Sequence, residues 1–180
     1  MNKKPKLNDL LEGGHMESLE RAERLQEVLR NLRYEGKASL GRNLREAQEV
    51  QGFFNEELNH HVRFEEEVVF PFLKTHLPRL EPMIWFLQAE HQDFRLNLET
   101  FRCRLGELVK TKEEGARVRI IEKIQETGTY LIYLFRNHIR AESEYLYQAA
   151  ERELRSEEKN RLIQQLARNT RSGPKPALRH

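Results

Sequence analysis

Apolar side chains in this 180-residue chain recur every three or four positions through four long stretches, the spacing that puts them on one face of a helix. The four predicted helices cover residues 14–33, 39–75, 83–110 and 116–153. A turn with Gly36, the segment HLPRLEP and the charged patch TKEEG separate them. Connections this short join antiparallel neighbours, so the pattern predicts an all-α, antiparallel up-down four-helix bundle.

The two ends of the chain are predicted to lie outside this bundle. We divide the chain into a flexible basic N-terminal arm over residues 1–10, the bundle over 11–153, a short C-terminal fifth helix within 154–169, and a disordered basic tail over 170–180. Within the second long helix, Pro71 is expected to kink the last turn, because proline lacks a backbone donor and clashes one turn back.

Charge and cysteine content exclude several classes of protein. The 31 Lys and Arg nearly balance the 29 Asp and Glu, for a net charge near +2, so no overall field points toward nucleic acid. No stretch approaches the roughly 18 apolar residues of a membrane span. Cys103 is the single cysteine, which excludes an intramolecular disulfide and fits a reducing compartment. We therefore expect a cytoplasmic protein without a nucleic-acid or membrane partner; the sequence identifies no protein partner.

Each predicted long helix carries a histidine on its apolar face, and two of the helices add a glutamate four residues later. These residues are His15, His61 with Glu65, His91, and His138 with Glu142. Positions i and i+4 stack on one helix face, and the segments HVRFE and HIRAE repeat this arrangement on the second and fourth helices. Counted from the turns, the histidines of each antiparallel pair differ in height by no more than roughly 6 Å. Four imidazoles and two carboxylates are thus predicted to meet in one layer.

A single histidine on an apolar face is more often a hydrogen-bonded core residue than a ligand, and a glutamate one turn away is more often a surface ion pair. The conjunction of four such histidines at matched heights favours a metal site instead. Imidazole with bridging carboxylate suits iron, manganese or zinc, and six ligands suit two ions. Glu57, one turn before His61, and Tyr145, seven residues after His138, are candidates for contacts just outside the ligands.

These residues resemble the hemerythrin-like, or HHE cation-binding, domains. The resemblance covers about residues 11–147 and depends on His15, on HVRFE and HIRAE, and on His91 in AEHQDF. It implies a non-heme di-iron centre inside a four-helix bundle. Glu65 and Glu142 would bridge the irons, His15 and His61 would hold one iron, and His91 and His138 would hold the other.

The chain departs from the respiratory members of that family at two places. They have a second histidine four residues from the first on the third helix, where this chain has Leu87 and Arg95 on either side of His91. They also use an aspartate five residues after the last histidine, where this chain has Glu142 at four. By this resemblance, the missing histidine would leave an exchangeable position at both irons, which would disfavour simple reversible oxygen carriage.

Three functions follow as hypotheses from these observations. The first is a di-iron protein that binds or responds to O2 or a related small molecule such as NO or peroxide, in iron handling or redox sensing. The second is a di-iron enzyme, namely an oxidase, a peroxidase or an iron-sulfur repair protein. The third is a metal-free helical scaffold for protein contacts.

Overall fold

The computed structural model describes residues 7–172, apart from the side chains of Glu57, Leu58 and residues 169–172, and every regular element in that range is helical. The four longest helices are α2 (His15–Tyr34), α3 (Gly36–Phe53), α6 (Glu81–Lys110) and α7 (Glu114–Ala141). Five shorter ones are α1 (Leu7–Leu11), α4 (Asn59–Phe64), α5 (Phe70–His76), α8 (Gln148–Glu153) and α9 (Ser156–Ser172). The all-α prediction is therefore confirmed.

The long helices pack in a ring, and the predicted boundaries lie close to the observed ones. α2 packs against α3 and α7, and α6 packs against α7 and α3. Glu35 alone separates α2 from α3, and residues 111–113 separate α6 from α7. The side chain of Glu113 caps α7 by accepting hydrogen bonds from the backbone N–H groups of Gly115 and Ala116. These short connections bring sequence neighbours side by side.

The second and fourth predicted helices are interrupted by π-helical turns. Such turns occupy Phe54–Leu58 and Glu65–Val69 between α3 and α5, and Glu142–Tyr147 between α7 and α8. Pro71 follows the second turn directly and lies in the first turn of α5. Because proline cannot donate to the carbonyl one turn back, a π-helical turn just before it is a reasonable accommodation. A π-helical turn that begins at Glu65 thus directly precedes Pro71, where the sequence predicts a kink.

The N-terminal boundary also differs from the prediction. Residues 7–10, assigned to a flexible arm, belong to α1, and Leu7 and Leu11 are buried against the C-terminal part of the chain. Two leucines four residues apart share one helix face, so even this short helix has an apolar stripe to bury. The rest of the predicted arm, residues 1–6, lies outside the described residues.

The C-terminal helix is longer than predicted. α9 continues to Ser172, beyond the boundary expected at residue 169, and packs against α1 and the Glu65–Val69 turn through buried Leu162 and Leu166. The last part of the predicted tail, residues 173–180, is not among the described residues. No helix between residues 7 and 172 is long and apolar enough to cross a membrane.

Buried apolar residues form two clusters rather than one continuous core. The first, here called the lower core, joins α2, α3, the second half of α6 and most of α7. The second, the upper core, joins α1, α5, the first half of α6, α8 and α9. The buried polar residues His15, Glu65, His91, His138 and Glu142 belong to neither cluster and lie where the two meet. This division places the polar layer at mid-height.

Candidate metal centre

The polar layer draws its side chains from four helical segments. His15 is the first residue of α2 and follows Gly14, whose φ of 95° lies in the left-handed region that favours glycine. His61 comes from α4, His91 from the middle of α6, and His138 from the end of α7. Glu65 and Glu142 each occupy the first position of a π-helical turn, an element found frequently at functional sites.

The four histidines form two pairs whose Nε2 atoms converge. His15 Nε2 lies 3.2 Å from His61 Nε2, and His91 Nε2 lies 3.0 Å from His138 Nε2. Two ligand atoms bound to one ion at about 2.1 Å and about 90° apart are separated by about 3.0 Å. Each pair therefore has the spacing of two neighbouring ligands on one metal ion.

Both carboxylates reach both histidine pairs. Glu65 Oε1 is 3.3 Å from His61 Nε2, and its Oε2 is 3.4 Å from His91 Nε2. Glu142 Oε2 is 3.4 Å from His15 Nε2, and its Oε1 is 3.0 Å from His138 Nε2. Two four-residue groups result, each with ligand atoms within 4.8 Å of one another: one histidine pair with both glutamates, and the other pair with the same glutamates. The six predicted ligands are thus brought together as the sequence analysis expects.

The buried carboxylates show that a cation fits this layer. Glu65 is 1 % exposed and Glu142 is 0 % exposed. Apart from the histidine nitrogens that converge on them, Glu65 Oε2 and both carboxylate oxygens of Glu142 lack a hydrogen-bond partner among the described residues. Uncompensated burial of carboxylates is costly, so oxygens with no other donor are what a site built around positive ions should show. The donor set of imidazole nitrogen and carboxylate oxygen suits iron, manganese or zinc.

Two glutamates outside the predicted set orient the second histidine pair. Glu66 Oε1 lies 2.9 Å from His91 Nδ1, and Glu90 Oε2 lies 2.8 Å from His138 Nδ1. A carboxylate that accepts from Nδ1–H leaves the Nε2 lone pair free for a metal, which is the usual outer contact of a metal-binding histidine. The sequence offered one indication of these two contacts, namely an acidic residue directly beside a candidate ligand. Glu66 follows Glu65, and Glu90 precedes His91.

Tyr147, rather than Tyr145, contacts a candidate ligand, Glu65. The Tyr147 hydroxyl donates a hydrogen bond to Glu65 Oε1, and the residue is fully buried. Tyr145 is 62 % exposed, so the prediction that it faces the ligands is wrong. The π-helical turn explains the error, because residues five apart, such as Glu142 and Tyr147, align there instead of residues four apart. The side chain of the other candidate, Glu57, lies outside the described residues.

Tyr147→Phe should lower the stability of metal-free protein by about 2 kcal/mol, because it removes a donor from a buried carboxylate. The matched control is Tyr145→Phe, which removes the same hydroxyl from an exposed ring and should change stability by less than about 0.5 kcal/mol. Urea denaturation of chelator-stripped protein measures both changes. Equal effects of the two substitutions would mean that the Tyr147 hydroxyl does not stabilise Glu65.

Charges within the layer shift the pKa values of its members. Burial opposes the charged form of Glu65, but the charge and hydrogen bond of His61 and a further bond from His91 hold its pKa well below the usual range. Burial likewise opposes the charged form of His138, but Glu142, Glu90 and Glu65 raise its pKa to about 10. Burial and the neighbouring carboxylates raise the pKa of Tyr147, which keeps its hydroxyl protonated. In the absence of metal ions, His138 and Tyr147 thus hold their protons within the layer.

These shifts predict a pH optimum for the stability of chelator-stripped protein. The lowered pKa of Glu65 contributes stability above its ordinary pKa of 4.5, and this contribution disappears as pH falls through the folded value. The raised pKa of His138 contributes stability below its ordinary pKa of 6.5, and this contribution disappears as pH rises toward about 10. Melting temperatures should therefore be highest between pH 4.5 and 6.5.

His138→Gln should make the alkaline side of that pH profile less steep, since it removes one of the groups that titrate there; the raised pKa of His61 leaves the rest. A melting temperature of the stripped wild-type protein that rises steadily from pH 6.5 toward 10 would contradict the raised pKa of His138. Metal-loaded protein serves as the comparison, because ligand nitrogens bound to metal do not take up protons.

The surroundings of the layer differ between its two sides. A cavity of about 20 Å³, enough for one water-sized molecule, lies beside both histidine pairs and is walled by Phe94, Leu134, Phe135 and Ile139 of the lower core. Toward the upper core, the ring of Phe70 stacks on that of His91 at 5.7 Å between centroids. The His61 side chain is 21 % exposed, against 2 % for His91. Solvent reaches the first pair more readily than the second.

The neighbours of His91 and His61 add no further ligand. Leu87 is fully buried in the upper core, and Arg95 lies at the surface, where its Nη2 donates to Glu66 Oε2 at 3.3 Å. His60 is exposed and belongs to neither group of converging ligand atoms. Within the described residues, each of the two candidate metal sites thus has two imidazoles and two carboxylate oxygens close enough to bind an ion.

Comparison with known proteins identifies a family. The model of the hemerythrin HHE cation binding domain matches residues 6–150 of the chain. No curated protein and no solved structure matches it. The matched segment contains all six of the converging residues.

Proposed function

Because this chain belongs to the hemerythrin HHE cation-binding domain family, we propose that it is a non-heme di-iron protein that binds or responds to O2 or a related small molecule such as NO or peroxide. Four long helical segments, antiparallel and up-down, would hold the two ions at mid-height, with α9 as an added fifth helix. His15 and His61 would bind one ion, His91 and His138 the other, and Glu65 and Glu142 both. Manganese or zinc would suit the same donors.

One observation supports the proposal above the others. Each carboxylate directs one oxygen toward the first histidine pair and the other oxygen toward the second, at 3.0 to 3.4 Å. A single-ion site would need neither the second pair nor the second oxygen of each glutamate. The arrangement therefore favours two ions that share two carboxylate bridges.

The protein's own groups would prepare this centre for small molecules. Glu66 and Glu90 fix which nitrogen of His91 and His138 carries the proton. Phe94, Phe135 and Ile139 give the adjacent cavity an apolar wall, and its volume of about 20 Å³ limits it to a very small molecule. When bound, two iron ions would supply the electrons for redox chemistry with such a molecule.

The donor sets also favour reaction or sensing over simple carriage. Neither Leu87 nor Arg95 supplies the extra histidine of the respiratory members, so the two positions receive equal donor sets within the described residues. Each ion would then keep positions open to exogenous molecules. We infer that a response to the small molecule, as in redox sensing or iron handling, is the better expectation for this chain.

Two measurements test the proposal. One is elemental analysis of protein produced with added iron, and the other is the absorption spectrum of reduced protein before and after exposure to air. We expect about two irons per chain, as for ferritin-like di-iron bundles, and new near-ultraviolet absorption after oxidation. Slow or absent reversal on deoxygenation would separate redox response from carriage. One firmly bound zinc, or no metal, would refute the di-iron proposal.

Two further measurements separate the competing hypotheses. Sustained consumption of O2 or peroxide by loaded protein, abolished by Glu142→Ala, would establish an enzyme instead. Simultaneous replacement of the four layer histidines by leucine without loss of biological function would establish a metal-free scaffold.

A further inference from the structure

A second concave site lies on the surface between α2 and α7, away from the ligand layer. This groove has a volume of about 660 Å³, within the range of roughly 300 to 1,000 Å³ typical of small-molecule sites. Buried Leu29 and Ile132 contribute its apolar part. Gln26, Gln125 and Thr129 add neutral polar groups. None of the six converging metal-centre residues lines the groove.

Four arginines line this groove, two from each helix. Arg30 and Arg33 come from α2, and Arg136 and Arg140 come from α7; all four are exposed. No carboxylate is among the described residues that line the groove. The guanidinium groups contact neutral partners instead. Arg136 Nη2 donates to Gln26 Oε1, and Arg140 Nη2 donates to Asn137 Oδ1, both at 3.2 Å. The described lining of the groove thus combines four positive charges with no negative one.

Elsewhere on the surface, arginine is commonly paired with an acid. Arg24 contacts Glu27 and Glu46, Arg79 contacts Glu153, and Arg102 contacts Glu99. Among the described residues, the four groove arginines have no such ion pair within 4.0 Å. In a chain of nearly balanced charge, a cluster of arginines without acids indicates a site for an external anion.

We propose that this groove binds a small phosphate-rich anion, a linear di- or triphosphate that is either free or carried by a nucleoside. A terminal phosphate group offers three acceptor oxygens and nearly two negative charges, so a chain of two or three such groups can accept from several guanidinium groups along the groove. A carboxylate carries a single charge on two oxygens, so it offers fewer acceptors and less charge to four arginines than a phosphate chain does. The four arginines that line the groove therefore suit a phosphate chain better than a carboxylate.

Two exposed tyrosines at the groove distinguish the two sources of phosphate. Tyr34 is 74 % exposed and Tyr133 is 66 % exposed, and Arg33 lies over the Tyr34 ring at 5.6 Å from its centroid. Open aromatic faces stack on nucleobases, so they would add affinity for a nucleotide and none for a free phosphate chain.

Isothermal titration calorimetry with tripolyphosphate, ATP and adenosine tests the site on the full chain. These anions bind metal ions themselves, so the titrations use both purified and chelator-stripped protein, with metal content measured before and after. We expect tripolyphosphate and ATP to bind both forms, with affinity that falls as salt rises. No binding of either anion at millimolar concentration would overturn the proposal. A failure of metal loading leaves this test unaffected, which separates it from the test of the metal centre.

Substitutions locate the binding in the groove. Arg30→Ala and Arg136→Ala, one on each wall, should each weaken tripolyphosphate binding about tenfold or more, because each removes a charge-assisted hydrogen-bond donor. The matched control is Arg45→Ala, which makes the same charge change at an exposed position of α3 outside the groove and should leave the affinity within about twofold. If all three variants lose the same affinity for tripolyphosphate, binding depends only on net charge, and the groove is not a specific site.

The remaining comparisons identify the ligand class. ATP that binds more tightly than tripolyphosphate, with Tyr133→Ala weakening ATP alone, supports a nucleotide. Equal affinities for the two anions support a free phosphate chain. A hexaglutamate peptide that binds more tightly than tripolyphosphate would overturn the proposal in favour of an acidic protein segment.

Discussion

Glu65→Ala should remove both metal ions from the protein, although it truncates a single side chain. The two oxygens of Glu65 lie near different histidine pairs, at 3.3 Å from His61 Nε2 and 3.4 Å from His91 Nε2. Loss of one bridging carboxylate therefore removes a ligand from each position. Changes to outer contacts already cost 10- to 100-fold in metal affinity, so loss of a ligand should cost at least about 100-fold at both positions. Elemental analysis after dialysis measures the metal that remains.

Three further variants make this result interpretable. Glu65→Gln keeps the size of the side chain and should also lose both ions, which separates loss of charge from loss of packing. Glu67→Ala removes a neighbouring glutamate that is exposed and paired with Arg63, and should retain both ions. His138→Ala truncates a ligand of one position and should mainly empty that one. Retention of one full equivalent in Glu65→Ala would show that Glu65 does not bridge.

Removal of both ions by a chelator should lower the stability of the wild-type protein by about 8 kcal/mol when each ion was present at about 1,000 times its dissociation constant. The physical reason is that the ligands converge only in the folded chain, so metal binding adds to folding free energy. For a domain of this length, each kcal/mol corresponds to about 2 to 4 °C, which predicts a fall of about 15 °C or more in melting temperature. Differential scanning calorimetry of loaded and stripped protein measures it.

Glu65→Gln provides the control for this second experiment as well. A variant that binds no metal should melt at the same temperature before and after treatment with chelator. If stripped and loaded wild-type protein melt together, the buried carboxylates are compensated by something other than metal ions. Such a result would contradict the di-iron proposal independently of any spectrum.

The helices and the convergence of the six candidate ligands could be predicted from the sequence because both depend on local spacing. Apolar periodicity placed α2 within one residue of its observed ends, and glycine and proline marked the turns. The pairs His61 with Glu65 and His138 with Glu142 share a face because the chain is α-helical up to each glutamate. Each π-helical turn begins only at the glutamate, so it could not disturb the spacing that the ligands require.

The contacts beyond the glutamates could not be predicted in the same way. A π-helical turn shifts every later residue around the helix axis, so extrapolation with α-helical spacing selected Tyr145 instead of Tyr147. Glu66 and Glu90 were missed because their contacts with His91 and His138 cross between helices, and periodicity along one helix does not report on them. α1 was missed because five residues are too few to show a helical pattern.

The division of the apolar interior into two cores gives the ligand layer a mechanical role. The lower and upper cores meet at charged and imidazole groups, so apolar contact is weakest where the metal ions would bind. With metal ions in place, we expect the ligand layer to link the two cores, so that the two halves unfold together. Without them, we expect the half formed by α1, α5, α8 and α9 to separate first as one local opening. The same opening would set how fast the protein gains and releases its ions.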